Sequence, residues 1–234
     1  IDNAHPVFNV NKIFFDAYQQ VSTSGGARFP KASEAINRDI FKGTLVMNYI
    51  GHGGGKGWAQ ERVLTNDDIA SWNNANKLPL LVTATCSFTG YDEASFVTAG
   101  EQTLLKENGG VIGLFTTTRA VYSTANDRLT NAVFDTIFQE IGQTPLSIGE
   151  ILRLAKNANS RDTLETNSRK FSLIGDPSMQ LAIPKYNVAT AKINGVDVST
   201  GIIDTIQALE QVTIEGFVTD HNGTILTDFN GTVQ

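Results

Sequence analysis

The sequence predicts an α/β chain: a mostly parallel sheet flanked by helices, followed by part of a smaller all-β unit. Three observations carry that expectation. Apolar, β-branched runs recur at Leu45 to Ile50, Leu78 to Thr85 and Val111 to Phe115, each bounded by turn residues, as buried strands of a parallel sheet are. Segments with apolar residues at helical spacing separate them, and strand alternating with helix builds a parallel sheet with helices on its faces. After Pro184 the pattern changes to short β-type pieces divided by Asn-Gly turns.

Taken in order, Lys12 to Tyr18 reads as a short strand ending near Asp16, and Val21 to Pro30 as a polar loop. Lys31 to Phe41 has Ala35, Ile36, Ile40 and Phe41 at helical spacing, with Gly43 closing it. The strand Leu45 to Ile50 breaks into Gly51-His52-Gly53-Gly54-Gly55. Thr65-Asn66-Asp67-Asp68 offers cap types and acidic first-turn residues for a helix reaching Trp72. The strand Leu78 to Thr85 breaks at Cys86. A helix is expected over Ser95 to Asn108, ended by Asn108-Gly109-Gly110. The third strand then leads to Thr116-Thr117-Thr118-Arg119. Ser123 to Ile141 keeps a period near 3.6, and Pro145 opens a further helix carrying Ile148, Ile151, Leu152 and Ala155.

Residues 1–185 form the α/β domain on this reading, and 186–234 the β unit, which at 49 residues is short for a sandwich of roughly 100. Asp220 to Thr224 and Asp228 to Thr232 read as paired turns. The opening Ile1-Asp2-Asn3-Ala4 has no initiator Met or signal segment, so the chain reads as a piece of a longer protein.

A net charge of −6 and a pI near 5.0 argue against a nucleic-acid surface, which needs a basic stripe. The longest apolar runs are too short to span a membrane as a helix. A single cysteine excludes an intramolecular disulfide and any thiolate-rich metal site, and His5, His52 and His221 lack metal spacing. No cofactor is expected.

His52 and Cys86 follow two of the strands, where open α/β sheets place their chemistry. A thiol with a pKa of about 8.5 is mostly protonated at neutral pH. An adjacent imidazole takes that proton and later gives it to the leaving amine. Gly53 and Gly54 let the backbone approach a substrate closely, and the amides of Gly53 and Cys86 suit an oxyanion hole. The plain alternatives are a flexible glycine turn and a buried thiol. A phosphate-binding loop is excluded because Lys56 is followed by Gly57. The absence of a Gly-x-Ser-x-Gly elbow argues against a lipase-type serine hydrolase.

Tyr49-Ile50-Gly51-His52-Gly53-Gly54, then Trp58, then Thr83-Ala84-Thr85-Cys86, is similar to the gingipain-type cysteine peptidases, which have a caspase-like fold. The His-first order and the 34-residue separation fit that group. Gly100-Glu101, Gly109-Gly110, Thr116 to Tyr122, Phe171 to Ser178 and Asp228 to Thr232 resemble one branch of it, the PorU-type sortases of type IX secretion in Bacteroidetes. The resemblance implies a catalytic domain followed by an immunoglobulin-like one, at the outer cell surface and associated with the outer membrane. It implies cleavage of the C-terminal targeting domain from exported cargo through a thioester, with water or an amine of anionic lipopolysaccharide as second nucleophile. Partners would be the exported proteins and other secretion-system subunits. The family's histidine is oriented by an upstream acid, for which Asp16 is the candidate here. The alternative is an inactive surface binding or scaffold module on the same fold, and a weaker one is a self-processing protease.

Trp58 either walls the cleft or anchors a lid, and Thr85 and Tyr91 either contact substrate or pack. Tyr122 stands where the family places an aromatic against the substrate's first side chain. Arg119 either binds a substrate carboxylate or pairs with Glu101.

Overall fold

The computed structural model describes residues 5, 8–141, 144–159, 166–201, 205–220 and 222–230. The chain divides into two compact units, Ile1–Leu181 and Ala182–Gln234.

The first unit begins with a hairpin, β1 (Val21–Thr23) and β2 (Gly26–Arg28), and helix α1 (Pro30–Lys42). Strand β3 (Val46–Ile50) leads into a small meander, β4 (Gly53–Gly54), β5 (Gly57–Trp58) and β6 (Leu64–Thr65). Then come α2 (Asn66–Ser71), β7 (Leu80–Ala84), α3 (Ala99–Leu105), β8 (Gly113–Thr117) and α4 (Ser123–Thr136). A second short hairpin, β9 (Glu140–Ile141) with β10 (Thr144–Pro145), precedes α5 (Ile148–Asn159) and β11 (Phe171–Gly175).

The central sheet runs β11-β8-β7-β3, with β3, β7 and β8 parallel and β11 antiparallel at one edge. Every residue of β7 and β8 is buried, which is why both read as unbroken apolar and threonine runs rather than alternating ones. On one face Leu81 and Leu114 pack with Ile36 and Ile40 of α1, Ile69 of α2 and Ala99 of α3. On the other, Gly113 abuts Ile148 of α5, and α4 lies against α5 and β7.

Several elements depart from the sequence expectation. Lys12 to Tyr18 is no strand; it holds one 3-10 turn at Phe15–Ala17 with Asp16 exposed. The stretch read as a polar loop forms β1 and β2. The first helix after Cys86 starts only at Ala99, because Glu101 reaches back to the Thr98 amide and hydroxyl at 2.9 and 2.6 Å and sets the start there. β8 lies two residues further on, so Thr116 and Thr117 are buried sheet residues instead of strand-end loop. Helix α4 stops at Thr136. Pro145 pairs in a hairpin, and α5 begins at Ile148, with the Ser147 hydroxyl accepting from the Glu150 amide at 3.3 Å.

The second unit holds β12 (Asn187–Ile193), β13 (Val196–Asp197) and β14 (Ile214–Thr219), antiparallel in the order β13-β12-β14. Asn194 and Gly195, with φ of 49° and 80°, make the two-residue turn that the Asn-Gly pair predicts. In the first of the expected turns, the Asp220 carboxylate accepts from the Asn222 and Thr224 amides at 2.9 Å each. The second expected turn ends at Gly231 and Thr232, which lie outside the described residues.

Candidate active site

The site is built where two neighbouring parallel strands end. Ile50 of β3 stands opposite Ala84 of β7, and the Gly51 amide donates to the Ala84 carbonyl at 3.4 Å. His52 and Cys86 are each two residues beyond that pair, so the register delivers both to the carboxyl edge of the sheet on adjacent strands. Neighbouring strands are about 4.8 Å apart.

The His52 backbone is held from two directions. Its carbonyl accepts from the Tyr49 hydroxyl at 2.6 Å and from the Ala59 amide at 2.7 Å. Burial pushes the Tyr49 hydroxyl up to about 12, which keeps it a neutral donor. The glycine stretch is a hairpin and not a loose turn: Gly53 faces Trp58, Gly54 faces Gly57, and the Gly55 carbonyl accepts from the Ala99 amide at 2.7 Å. A side chain at Gly57 is impossible, since its φ is 132° and a Cβ would fall 2.0 Å from the Leu64 carbonyl oxygen. A Cβ on Gly53 would lie 2.7 Å from Thr85 Oγ1, so the hairpin after His52 touches the residue before Cys86.

Cys86 is partly exposed, with Sγ 3.7 Å from the Val121 carbonyl oxygen. Ser87 takes a φ of 48°, uncommon for a residue other than glycine, and turns the chain off the strand. The Ser87 amide donates to the Arg119 carbonyl at 3.2 Å and the Thr89 amide to the Thr117 carbonyl at 3.0 Å, which tie this turn to the end of β8. Arg119 pairs with Asp92 through two hydrogen bonds of 3.0 and 2.6 Å, and its guanidinium holds the Asp92 carboxyl below the usual range. The expected partner, Glu101, is engaged at the start of α3 instead.

The remaining sequence candidates separate by exposure. Tyr91 and Tyr122 are 60% and 72% exposed, and the Tyr122 ring lies under Lys170 Nζ at 5.2 Å, one residue from Val121. Trp58 and Thr85 are both buried: Thr85 takes its packing alternative, while Trp58 stands in the wall of the cavity beside His52 with almost no exposed surface. Trp58 is 2% exposed and stacks on Tyr49 at 4.4 Å and 7°, while Thr85 has no exposed surface. Asp16, the candidate orienting acid, shares no hydrogen bond or ion pair with His52 among the described residues. A cavity of about 940 Å³ opens against His52, lined also by Gly53, Lys56, Glu61, Arg62 and Phe96.

Two supporting groups escaped sequence reading. Asn126 donates to the Ala84 carbonyl at 3.2 Å and accepts from Asn167 at 3.1 Å, whose own oxygen takes the Tyr122 amide at 2.9 Å. A buried asparagine inside a helix was the available signal. The other group is the set of buried threonines Thr83, Thr89 and Thr116, joined by hydroxyl contacts of 3.1 Å (Thr83 to Thr116) and 2.9 Å (Thr89 with Thr116), with Thr117 beside them donating to the Thr85 carbonyl.

The profile of peptidase family C25 matches residues 1–182. The chain belongs to peptidase family C25. The resemblance read from the strand-end motifs is thereby borne out at the level of the family, whose members are gingipain-type cysteine peptidases. Among solved structures, the complex of Porphyromonas gingivalis RgpB pro- and mature domains matches with a TM-score of 0.58 at 16% identity, over 68% of this chain and 40% of that one. The Arg-specific cysteine proteinase gingipain R gives the same TM-score and identity, over 68% and 39%. At this identity the likeness is one of fold. Dimeric latent PorU from P. gingivalis matches at 24% identity with a TM-score of 0.35, over 91% of this chain and 18% of that one. The C25 chain thus spans less than half the length of the gingipain chains it matches. No curated protein matches it.

Proposed function

We propose that this C25 chain carries the nucleophile and base of a cysteine endopeptidase, with Cys86 attacking the scissile carbonyl and His52 moving the proton. The observation that carries the reading is the parallel register of Ile50 with Ala84, two residues before each group. The thiol proton passes to His52, and the sulfur adds to the carbonyl carbon. The oxygen's new charge is met by the Gly53 and Cys86 amides. Collapse expels the amine, protonated from His52, and leaves a thioester.

The substrate class follows from the sequence motifs that resemble the sortase branch, from Gly100-Glu101 to Asp228 to Thr232. On that reading the enzyme works at the outer cell surface beside other type IX secretion subunits. It removes the C-terminal targeting domain of exported cargo, and the thioester is resolved by water or by an amine of anionic lipopolysaccharide.

The test is alkylation of the full-length protein with iodoacetamide at pH 6, with mass spectrometry at Cys86. A thiolate paired with an imidazole reacts well ahead of free cysteine at that pH, and His52→Ala removes the advantage. A Cys86 no faster than free cysteine in both proteins overturns the reading and favours an inactive scaffold on the same fold.

A further inference from the structure

The hydrogen-bond ladder between β7 and β8 ends at Val82 and Phe115. Beyond it the chain must leave the sheet for Cys86 to stand on a turn, and the Thr85 carbonyl, buried and past the last pair, would lose its partner. The Thr117 hydroxyl, itself fully buried, donates to that carbonyl. In a trans peptide the C=O and N–H point in opposite directions. Pinning the Thr85 oxygen toward β8 therefore turns the Cys86 N–H toward β3, the side on which Gly51, His52 and Gly53 emerge. Among the described residues no hydrogen bond takes that N–H.

The facing donor is set in a comparable way. The Ala59 amide donates to the His52 carbonyl, so Gly53 and Trp58 form the non-hydrogen-bonded pair of β4 and β5, and the Gly53 N–H points out of the hairpin. Two amides that take no hydrogen bond among the described residues thus follow the ends of adjacent strands, and the Gly53 backbone lies against Thr85, the residue before Cys86.

We infer that Thr117 is a positioning residue of this site: its hydroxyl aims the Cys86 amide into the oxyanion hole. The inference rests on the cysteine-peptidase reading above and assigns to it a residue buried beneath the nucleophile. Removing an oxyanion donor costs about 10²–10³ in rate. Misaiming one should cost about tenfold or more.

Two probes that need no natural substrate separate the roles. With p-nitrophenyl acetate, the Cys86 sulfur forms a C–S bond, the carbonyl pair moves to oxygen, and collapse breaks the C–O bond to release p-nitrophenolate; the thiol proton goes to His52. Iodoacetamide alkylates the same sulfur, displacing iodide, and forms no oxyanion. In the full-length protein, Thr117→Val is expected to slow the acylation burst about tenfold or more while leaving the alkylation rate at Cys86 within twofold, and Thr117→Ser to restore the burst. Thr117→Ala serves in the same comparison where the valine variant does not fold. Loss of both rates together assigns Thr117 to the thiol's general setting and overturns the inference, as does a valine or alanine variant with an undiminished burst. A wild-type protein whose Cys86 shows neither burst nor enhanced alkylation instead overturns the peptidase reading itself.

Discussion

Gly53→Ala is the smallest change that should disable the site, and its size can be worked from the structure. The new methyl would stand 2.7 Å from Thr85 Oγ1 and 2.8 Å from the Gly57 carbonyl oxygen, against 3.4 Å for ordinary contact. It arrives about 0.6–0.7 Å too close. Neither neighbour yields easily: Thr85 is completely buried, and Gly57 is paired with both Gly54 and Thr65. The hairpin carrying His52 must therefore move away from the Cys86 strand by roughly that distance. Overpacking of this kind costs about 1–3 kcal/mol in stability. A misplacement of about 1 Å costs on the order of 10²-fold in rate, so the expected loss in the acylation burst is about 10- to 100-fold. The assay is the p-nitrophenyl acetate burst with a thermal melt on the same preparation. A Gly53→Ala protein with wild-type burst and unshifted Tm would refute the close approach of the hairpin to Thr85. A lowered Tm with an intact burst would refute the coupling of that approach to chemistry.

Tyr49→Phe removes one of the two donors on the His52 carbonyl and should cost about 0.5–1.5 kcal/mol by denaturant titration. The same hydroxyl, raised to about 12, favours the fold below its ordinary value of about 10 and loses that contribution as pH climbs through 12. Wild type should therefore show an alkaline decline in stability over that window that Tyr49→Phe lacks. Trp58→Ala should cost about 3–5 kcal/mol, whereas Trp58→Phe keeps an aromatic ring against Tyr49 and removes an indole N–H that is buried without a partner, for a smaller loss. Comparing the two melts checks this, and equal losses would contradict it. Thr98→Ala should destabilise by about 1 kcal/mol, since Glu101 then has only the backbone amide to hold at the start of α3; an unchanged melt would contradict that capping role.

What the amino-acid order makes legible is local. Alternation of β-branched runs with 3.6-periodic segments marks the sheet and its helices, because burial on two faces and burial on one stripe leave different patterns. Asn194-Gly195 and Thr65 to Asp68 name their own turn and cap, since those geometries depend on residues adjacent in sequence. His52 and Cys86 stand out because strand ends are visible as the points where apolar runs stop. The boundaries that differ do so for a related reason: the Phe15 turn, the late start of α3 and the early stop of α4 are settled by capping and packing that apolar spacing does not encode.

Contacts across the chain are decided by the tertiary structure alone. Whether Arg119 meets Glu101 or Asp92 depends on which loop folds over the end of β8. From sequence Trp58 reads as cleft wall or lid anchor and Thr85 as substrate contact or packing, and only the packing of the meander on Tyr49 and the buried sheet edge show both side chains to be buried. The register of β3 on β7 and the Thr117 hydroxyl on the Thr85 carbonyl join residues more than 30 positions apart. Sequence alone thus supplies the strands and the chemical groups at their ends. Which strand lies beside which, and which buried donor meets a carbonyl left by the end of a ladder, follow from the packing of the whole sheet.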